Sequence, residues 1–245
     1  MPQTHQYWKQ PSRFATVFVL ASGIFFTSPT LAVTFSAPDG VEPAPQQPTS
    51  GGASRTGGQC AAESLAVGQT SATPLLPKNV DRVLTAAERP TFFVYVPPTT
   101  ATEASFTLKN AEDEIHYRTK VTLPESGGIM RISLPPTEAK LQEGKTYSWL
   151  FEIHCAPNFD PDNPTIVGSV QRTHIDATVA RNLAEKTTAV DLAQVYGDAG
   201  LWYDTLTTLA NARLLQPNEP TLEKTWEELL ISVGLEEIAT EPILD

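Results

Sequence analysis

The hydrophobic period of this chain changes once, and the change limits what it can fold into. From Cys60 to about Ile175 apolar residues recur at every second position between turn residues, the signature of strands with one buried face. From about Asp176 they recur every 3.6 positions, as in amphipathic helices. In the first region Pro90 leads into "TFFVYVP", and Ala104, Phe106 and Leu108 alternate with Ser105, Thr107 and Lys109. After Asn110–Glu114, the residues Ile115, Tyr117, Thr119 and Val121 alternate with His116, Arg118 and Lys120, so these two strands read as a hairpin. Met130, Ile132 and Leu134 follow a Gly turn, and Tyr147, Trp149, Phe151, Ile153 and Cys155 share one face of a further strand. "TIVGSVQRTHI" supplies the last strand. About six short antiparallel strands without intervening helices predict a β-sandwich over 60–175.

The helical region, 176–245, divides into four segments. Val179 and Leu183 mark the first, Leu192, Ala193 and Tyr196 the second, and Leu201 to Ala212 the third, which ends before Pro217. Leu222, Trp226, Leu229, Leu230 and Val233 form one stripe of the fourth, stopped by Gly234. The fold class is therefore α+β, a sandwich followed by a small C-terminal helical region.

The start of the chain speaks to compartment. Lys9 and Arg13 precede an apolar run from Phe14 to Phe26, and Thr30-Leu31-Ala32 supplies small residues for a signal peptidase. Residues 1–32 read as a secretory signal peptide, since the run falls short of the roughly twenty residues needed to cross a bilayer. Residues 33–59, which include "SAPDGVEPAPQQPTSGGASRTGGQ", read as a disordered Pro/Gly-rich linker. Cleavage removes two cations and no acid, taking the formal net charge from −11 to −13. That sign argues against nucleic acid and anionic membrane surfaces as partners. Export also bears on the two cysteines, Cys60 and Cys155. An oxidising compartment makes a disulfide the default, with two buried thiols or a metal site as rivals. The metal reading lacks a C-x-x-C pair or histidines at ligand spacing.

Three resemblances add detail. Leu141-x-x-Gly144-x-x-Tyr147-x-Trp149 resembles the tyrosine corner of immunoglobulin-like and fibronectin type III sandwiches, in which the hydroxyl bonds back to a nearby backbone group. It implies an immunoglobulin-like sandwich. Leu192-Ala193, Tyr196, Gly200, Leu209, Ala212 and Pro217 look like one tetratricopeptide repeat over about 186–219, with Thr205 where that repeat has alanine. The whole layout, with "ERPTFFVYVP", "LQEGKTYSWLFEI", "AGLWYDTLTTLA" and the "SVGLEEIA" ending, resembles an exported cyanobacterial family, domain of unknown function 928. That likeness implies a compartment and an architecture, but no activity or catalytic residue.

Candidate chemistry is sparse. No G-x-S-x-G elbow occurs. His116, His154 and His174 fall on the polar phases of strands. Asn158, Asp160 and Asp162 alternate like half a calcium loop, but Asn163 stands where that loop needs glycine and Ser169 where it needs glutamate. The acids at Glu112–Glu114 and Glu227-Glu228 fit a hairpin tip and a solvated helix face. The expectation is a non-enzymatic protein without metal or cofactor that binds a protein partner in the cell envelope, periplasmic or extracellular, with no membrane insertion after cleavage. A glycan or envelope-ligand module is the alternative, and an envelope hydrolase a weaker one. The candidate interaction surface comprises Phe93 and Tyr95, on the strand phase opposite Phe92, Val94 and Val96, together with Trp202 and Tyr203 beside the Gly200 turn. Adjacent helix positions point about 100° apart, so one of these last two is expected to pack inward and the other to meet a partner.

Overall fold

The computed structural model describes Met1, residues 32–38, Cys60, 70–78, Val80, 82–156 and 162–244. The chain divides into two compact units, Met1–Leu31 and Ala32–Asp245. Apart from Met1 and Ala32 the expected signal peptide lies outside the described residues, as do residues 39–59 of the expected linker. The expectation fails for the start of that linker. Val33 is 1% exposed, and the segment to Pro38 packs on the helical region. Strands and helices likewise belong to one compact unit rather than to two domains.

Eight strands are present among the described residues: β1 (Thr73–Pro74), β2 (Leu84–Thr85), β3 (Thr91–Val96), β4 (Glu103–Lys109), β5 (Ile115–Thr122), β6 (Gly128–Ser133), β7 (Thr146–Ile153) and β8 (Thr165–Arg172). They form a three-stranded sheet in the order β1-β3-β6 and a five-stranded sheet in the order β2-β8-β7-β4-β5. All pairs are antiparallel except β2 with β8. The two shortest strands, β1 and β2, have no period of their own to read. The helices are α1 (Ala177–Glu185), α2 (Ala189–Asp198), α3 (Trp202–Leu215) and α4 (Pro220–Ser232), followed by a 3-10 turn at Glu236–Ile238. Three of the four begin where a start signal stands, while α3 follows the Gly200 turn with no side-chain cap. The Asp176 carboxylate accepts from Thr178 N and Val179 N, the Thr188 hydroxyl accepts from Asp191 N, and Pro220 opens α4.

Strand β3 is the hinge of the architecture. Its β-branched and aromatic residues leave no polar phase, and all six are buried. Phe92 faces the five-stranded sheet, its ring 4.9 Å from Phe106 and 5.8 Å from Trp149. Phe93 faces the other way, 6.4 Å from the Trp226 ring of α4. The molecule is thus layered: five-stranded sheet, three-stranded sheet, helices. Trp149 fits because Gly168 lies opposite it on β8, where a Cβ would collide with the indole. The free edge of β6 is covered by the C-terminus, through Ile129 N donating to Pro242 O at 2.8 Å and Leu244 N to Ile129 O at 2.9 Å.

One strand departs from its sequence phase. The β4–β5 register shifts between Leu108 and Lys109, so Leu108 faces Tyr117 while Lys109 faces Ile115. His116 is the extra residue of this bulge. The bulge reverses the local alternation: Ile115 is 55% exposed, and the His116 ring lies 5.0 Å from that of Tyr147. The expectation that His116 faces solvent is corrected accordingly.

Candidate functional site

The four aromatics of the candidate interaction surface are interior. Phe93, Tyr95, Trp202 and Tyr203 are 2%, 3%, 0% and 2% exposed, so none offers a contact surface in this structure. The reason lies in what surrounds them. Phe93 and Tyr95 are roofed by α4 and the C-terminal segment, the latter bringing Glu241 to the Tyr95 hydroxyl. Helix α3 is enclosed on more than one side, burying Trp202, Tyr203, Thr205, Leu206, Leu209, Ala210 and Ala212. Its two leading aromatics can therefore point apart and both be covered. Trp202 Nε1 donates to Leu75 O at 2.8 Å. Tyr203 inserts between the sheets, where its hydroxyl accepts from Trp149 Nε1 at 2.9 Å and donates to Ser169 O at 2.7 Å. Burial pushes the Tyr203 phenol far above its ordinary range, against the smaller opposing effect of the Trp149 bond.

Beside Tyr203 the next residue of α3 borders a cleft of about 170 Å³ lined by Thr85, Arg89, Thr91, Tyr196, Asp204 and Thr208. The Asp204 carboxylate accepts from Ala86 N at 3.0 Å, and burial raises its carboxyl above the ordinary range despite the bonds from Ala86, Thr85 and Ala87. Burial and the Asp204 charge also raise the Tyr196 phenol. The carboxylate ends β2 and anchors the chain that follows it to α3. This is a structural use of a buried acid, which no local pattern around Asp204 marks.

A different arrangement stands where α2 turns into α3. Gly200 adopts φ +71°, the left-handed conformation that a tight helix-to-helix turn needs. Across this corner lies the extended segment Val33–Pro38. Val33 is buried and Phe35 half-buried, while Thr34 and Ser36 face outward. The Phe35 ring meets Trp202 edge-on at 5.1 Å. Ser36 N donates to Gly197 O at 3.0 Å, and Pro38 Cγ comes 3.1 Å from where a Cβ on Gly200 would stand. Gln194 reads the backbone and side chain of Thr34 together, accepting from its N–H and donating to its hydroxyl, both at 3.2 Å. Gly197 has an ordinary helical backbone; its lack of a side chain is what admits the segment, because a Cβ there would collide with Thr34 O. Sequence reasoning missed this site. Two signals could have found it: a glycine inside a helical pattern, which marks close backbone approach, and the alternation Val33-Thr34-Phe35-Ser36 directly after the expected cleavage point.

At the far end of the five-stranded sheet Ser105 Oγ and His154 Nε2 are 2.9 Å apart, beside an open cleft of about 390 Å³ lined by Thr100, Thr102, Glu103, His154 and Cys155. An activated serine needs its histidine oriented by a third group, and no described residue gives His154 Nδ1 a carboxylate. Cys155 forms a disulfide with Cys60. Asn158 and Asp160, considered for calcium, lie outside the described residues. His174 stands at the surface, 3.7 Å from Glu143.

The family described as Domain of Unknown Function (DUF928) matches residues 50–243, which takes in every strand and helix above. No curated protein matches the sequence.

Proposed function

The chain belongs to the DUF928 family, and on that premise we propose that it is an exported, non-enzymatic protein of the cell envelope that binds another protein. Three observations support the compartment. The Cys60–Cys155 disulfide suits an oxidising space, no helix among the described residues is long and apolar enough to cross a membrane, and the second compact unit begins at Ala32, beside the expected cleavage point. In this reading the strands are an immunoglobulin-like scaffold, in keeping with Tyr147, whose hydroxyl accepts from Gln142 N at 3.1 Å as a tyrosine corner would. Helices α2 and α3 are a tetratricopeptide-like hairpin, with Thr205 turning its hydroxyl back onto Leu201 O at 2.9 Å and so presenting a small methyl to the partner helix. The cyanobacterial origin suggested by the sequence likeness belongs to the same reading.

The observation that carries the proposal is the α2–α3 corner, which already holds an extended peptide segment by shape, backbone hydrogen bonds and an aromatic contact. The test is photo-crosslinking in the native envelope, with the reactive group at Thr34 or Gln194 of the exported protein. A reproducible adduct with one protein is expected. Adducts confined to the chain itself, from both positions, refute the reading.

A further inference from the structure

We propose that the α2–α3 corner is a recognition site for an extended, uncharged segment of a partner protein, with an aliphatic residue and an aromatic residue two positions apart, and that Val33–Pro38 holds this site shut in cis. The inference deepens the protein-binding reading by naming the ligand class and its control.

The resident segment defines the ligand chemistry. Val33 and Phe35 point inward on the same phase of an extended chain, Val33 being 1% exposed and Phe35 resting on the Trp202 ring. Between them the site contacts Thr34 mainly through backbone, at its N–H by Gln194 and at its carbonyl by the bare Gly197. Beyond them Ser36 N donates to Gly197 O in the last turn of α2, where helical carbonyls run out of helical partners. Backbone contacts with two side-chain anchors at i and i+2 are how extended peptides are usually read, giving affinity without fixing the intervening residue. Gly197 costs its helix stability relative to alanine, and in return admits the ligand backbone; packing of α2 on α3 does not need it so closely, since Thr205 Cγ2 would lie 3.8 Å from its Cβ.

The resident segment is also able to leave. Its backbone is not part of either sheet, the hydrogen bonds it makes among the described residues go to Gln194 and Gly197, and residues 39–59 stand between it and Cys60, the next described residue. A segment joined covalently to the chain that carries its site competes at an effective concentration of up to order mM, which sets the barrier that a partner segment must overcome.

The test uses the full mature chain with a protease site inserted between residues 39 and 59, cut after folding, and a fluorescent peptide of sequence Val-Thr-Phe-Ser-Ala-Pro as the probe. The cut protein is expected to exchange its resident segment for the probe with saturable anisotropy, at least about tenfold more tightly than the uncut protein. Replacing the phenylalanine of the probe by alanine should weaken binding at least about tenfold, the effect of losing one buried aromatic contact. Gly197→Ala should abolish uptake while leaving the far-UV circular dichroism unchanged. A cut protein that melts like the uncut one yet takes up no probe overturns the proposal, as does equal binding of the alanine peptide.

Should cutting unfold the protein, hydrogen exchange on the intact chain decides. The Ser36 amide should exchange at least about a hundredfold faster than amides of β4 and β7, through local opening; protection equal to theirs overturns the proposal, because a segment released only by global unfolding cannot be displaced. Self-association of the uncut chain that is lost in Val33→Asp/Phe35→Asp would assign the site to a second copy and overturn the partner reading. Probe uptake without any envelope adduct removes the protein-binding function and leaves the site standing. An adduct without probe uptake does the reverse.

Discussion

Tyr203→Phe isolates one hydroxyl at the junction of all three layers. The ring would stay where it is, 5.5 Å from Phe92, while Trp149 Nε1 and Ser169 O would each lose a partner held at 2.9 and 2.7 Å. An orphaned buried polar group costs about 1–3 kcal/mol. Both groups lose that partner in the one change, and a loss of about 2–3 kcal/mol is expected. For a folded unit of this size that is a fall in Tm of about 5–10 °C. The alkaline limb gives a second, independent readout. The native phenol is raised by burial, whereas the unfolded one titrates near 10, so the native state binds the extra proton. Stability from this group is complete below about pH 10 and is lost as pH rises above it. At pH 11 the wild type should have lost about 1.4 kcal/mol through this residue and the variant none, so the gap between them should narrow by that amount between pH 9 and 11. Urea unfolding at both pH values measures it. A variant within about 0.5 kcal/mol of wild type at pH 7, with an unchanged gap at pH 11, refutes the account of Tyr203 as the bonded plug between sheets and helix.

Two further expectations concern the same fold. Asp204 is raised by burial, so its native state holds a proton above the ordinary carboxylate pKa and the wild type loses stability as pH rises from about 4 through the raised value. The stability of Asp204→Asn relative to wild type should therefore improve over that window, by at most about 1.4 kcal/mol per pH unit; a difference that stays flat in urea titrations at pH 4 and 7 contradicts it. The Cys60–Cys155 bridge, of sequence separation 95, is expected to contribute up to about 4–5 kcal/mol through loop-closure entropy. Unfolding with and without reductant should differ accordingly, and free-thiol labelling of the native exported protein should find neither cysteine.

Much of the architecture could be read from one dimension, because hydrophobic period is a local quantity. The switch near Asp176, the strand phases of Phe106 and Trp149, the helix stop at Gly234 and the turn at Gly200 all depend on residues within a few positions of one another. The cysteines needed only a count and a compartment. The candidate interaction residues failed for the opposite reason. Whether Phe93, Tyr95, Trp202 and Tyr203 meet water depends on what covers them, and the covers come from Leu75, Trp149, Trp226 and Glu241, far away along the chain. His116 shows the limit of period itself, since a single bulged residue reverses the phase and only the β4–β5 register reveals it.

The sequence by itself determined an α+β chain with a strand-rich half, a helical half and two cysteines suited to a bridge. Tertiary structure alone decided that the two halves share one core, that an apparent tether begins as a seated peptide, and that a helix glycine makes room for it. The shared core rests on contacts such as Phe93 with Trp226 and Trp149 with Tyr203, and the seated peptide on the close approach of Thr34 to Gly197 across more than half the chain; no local pattern encodes a contact whose partner is a distant segment.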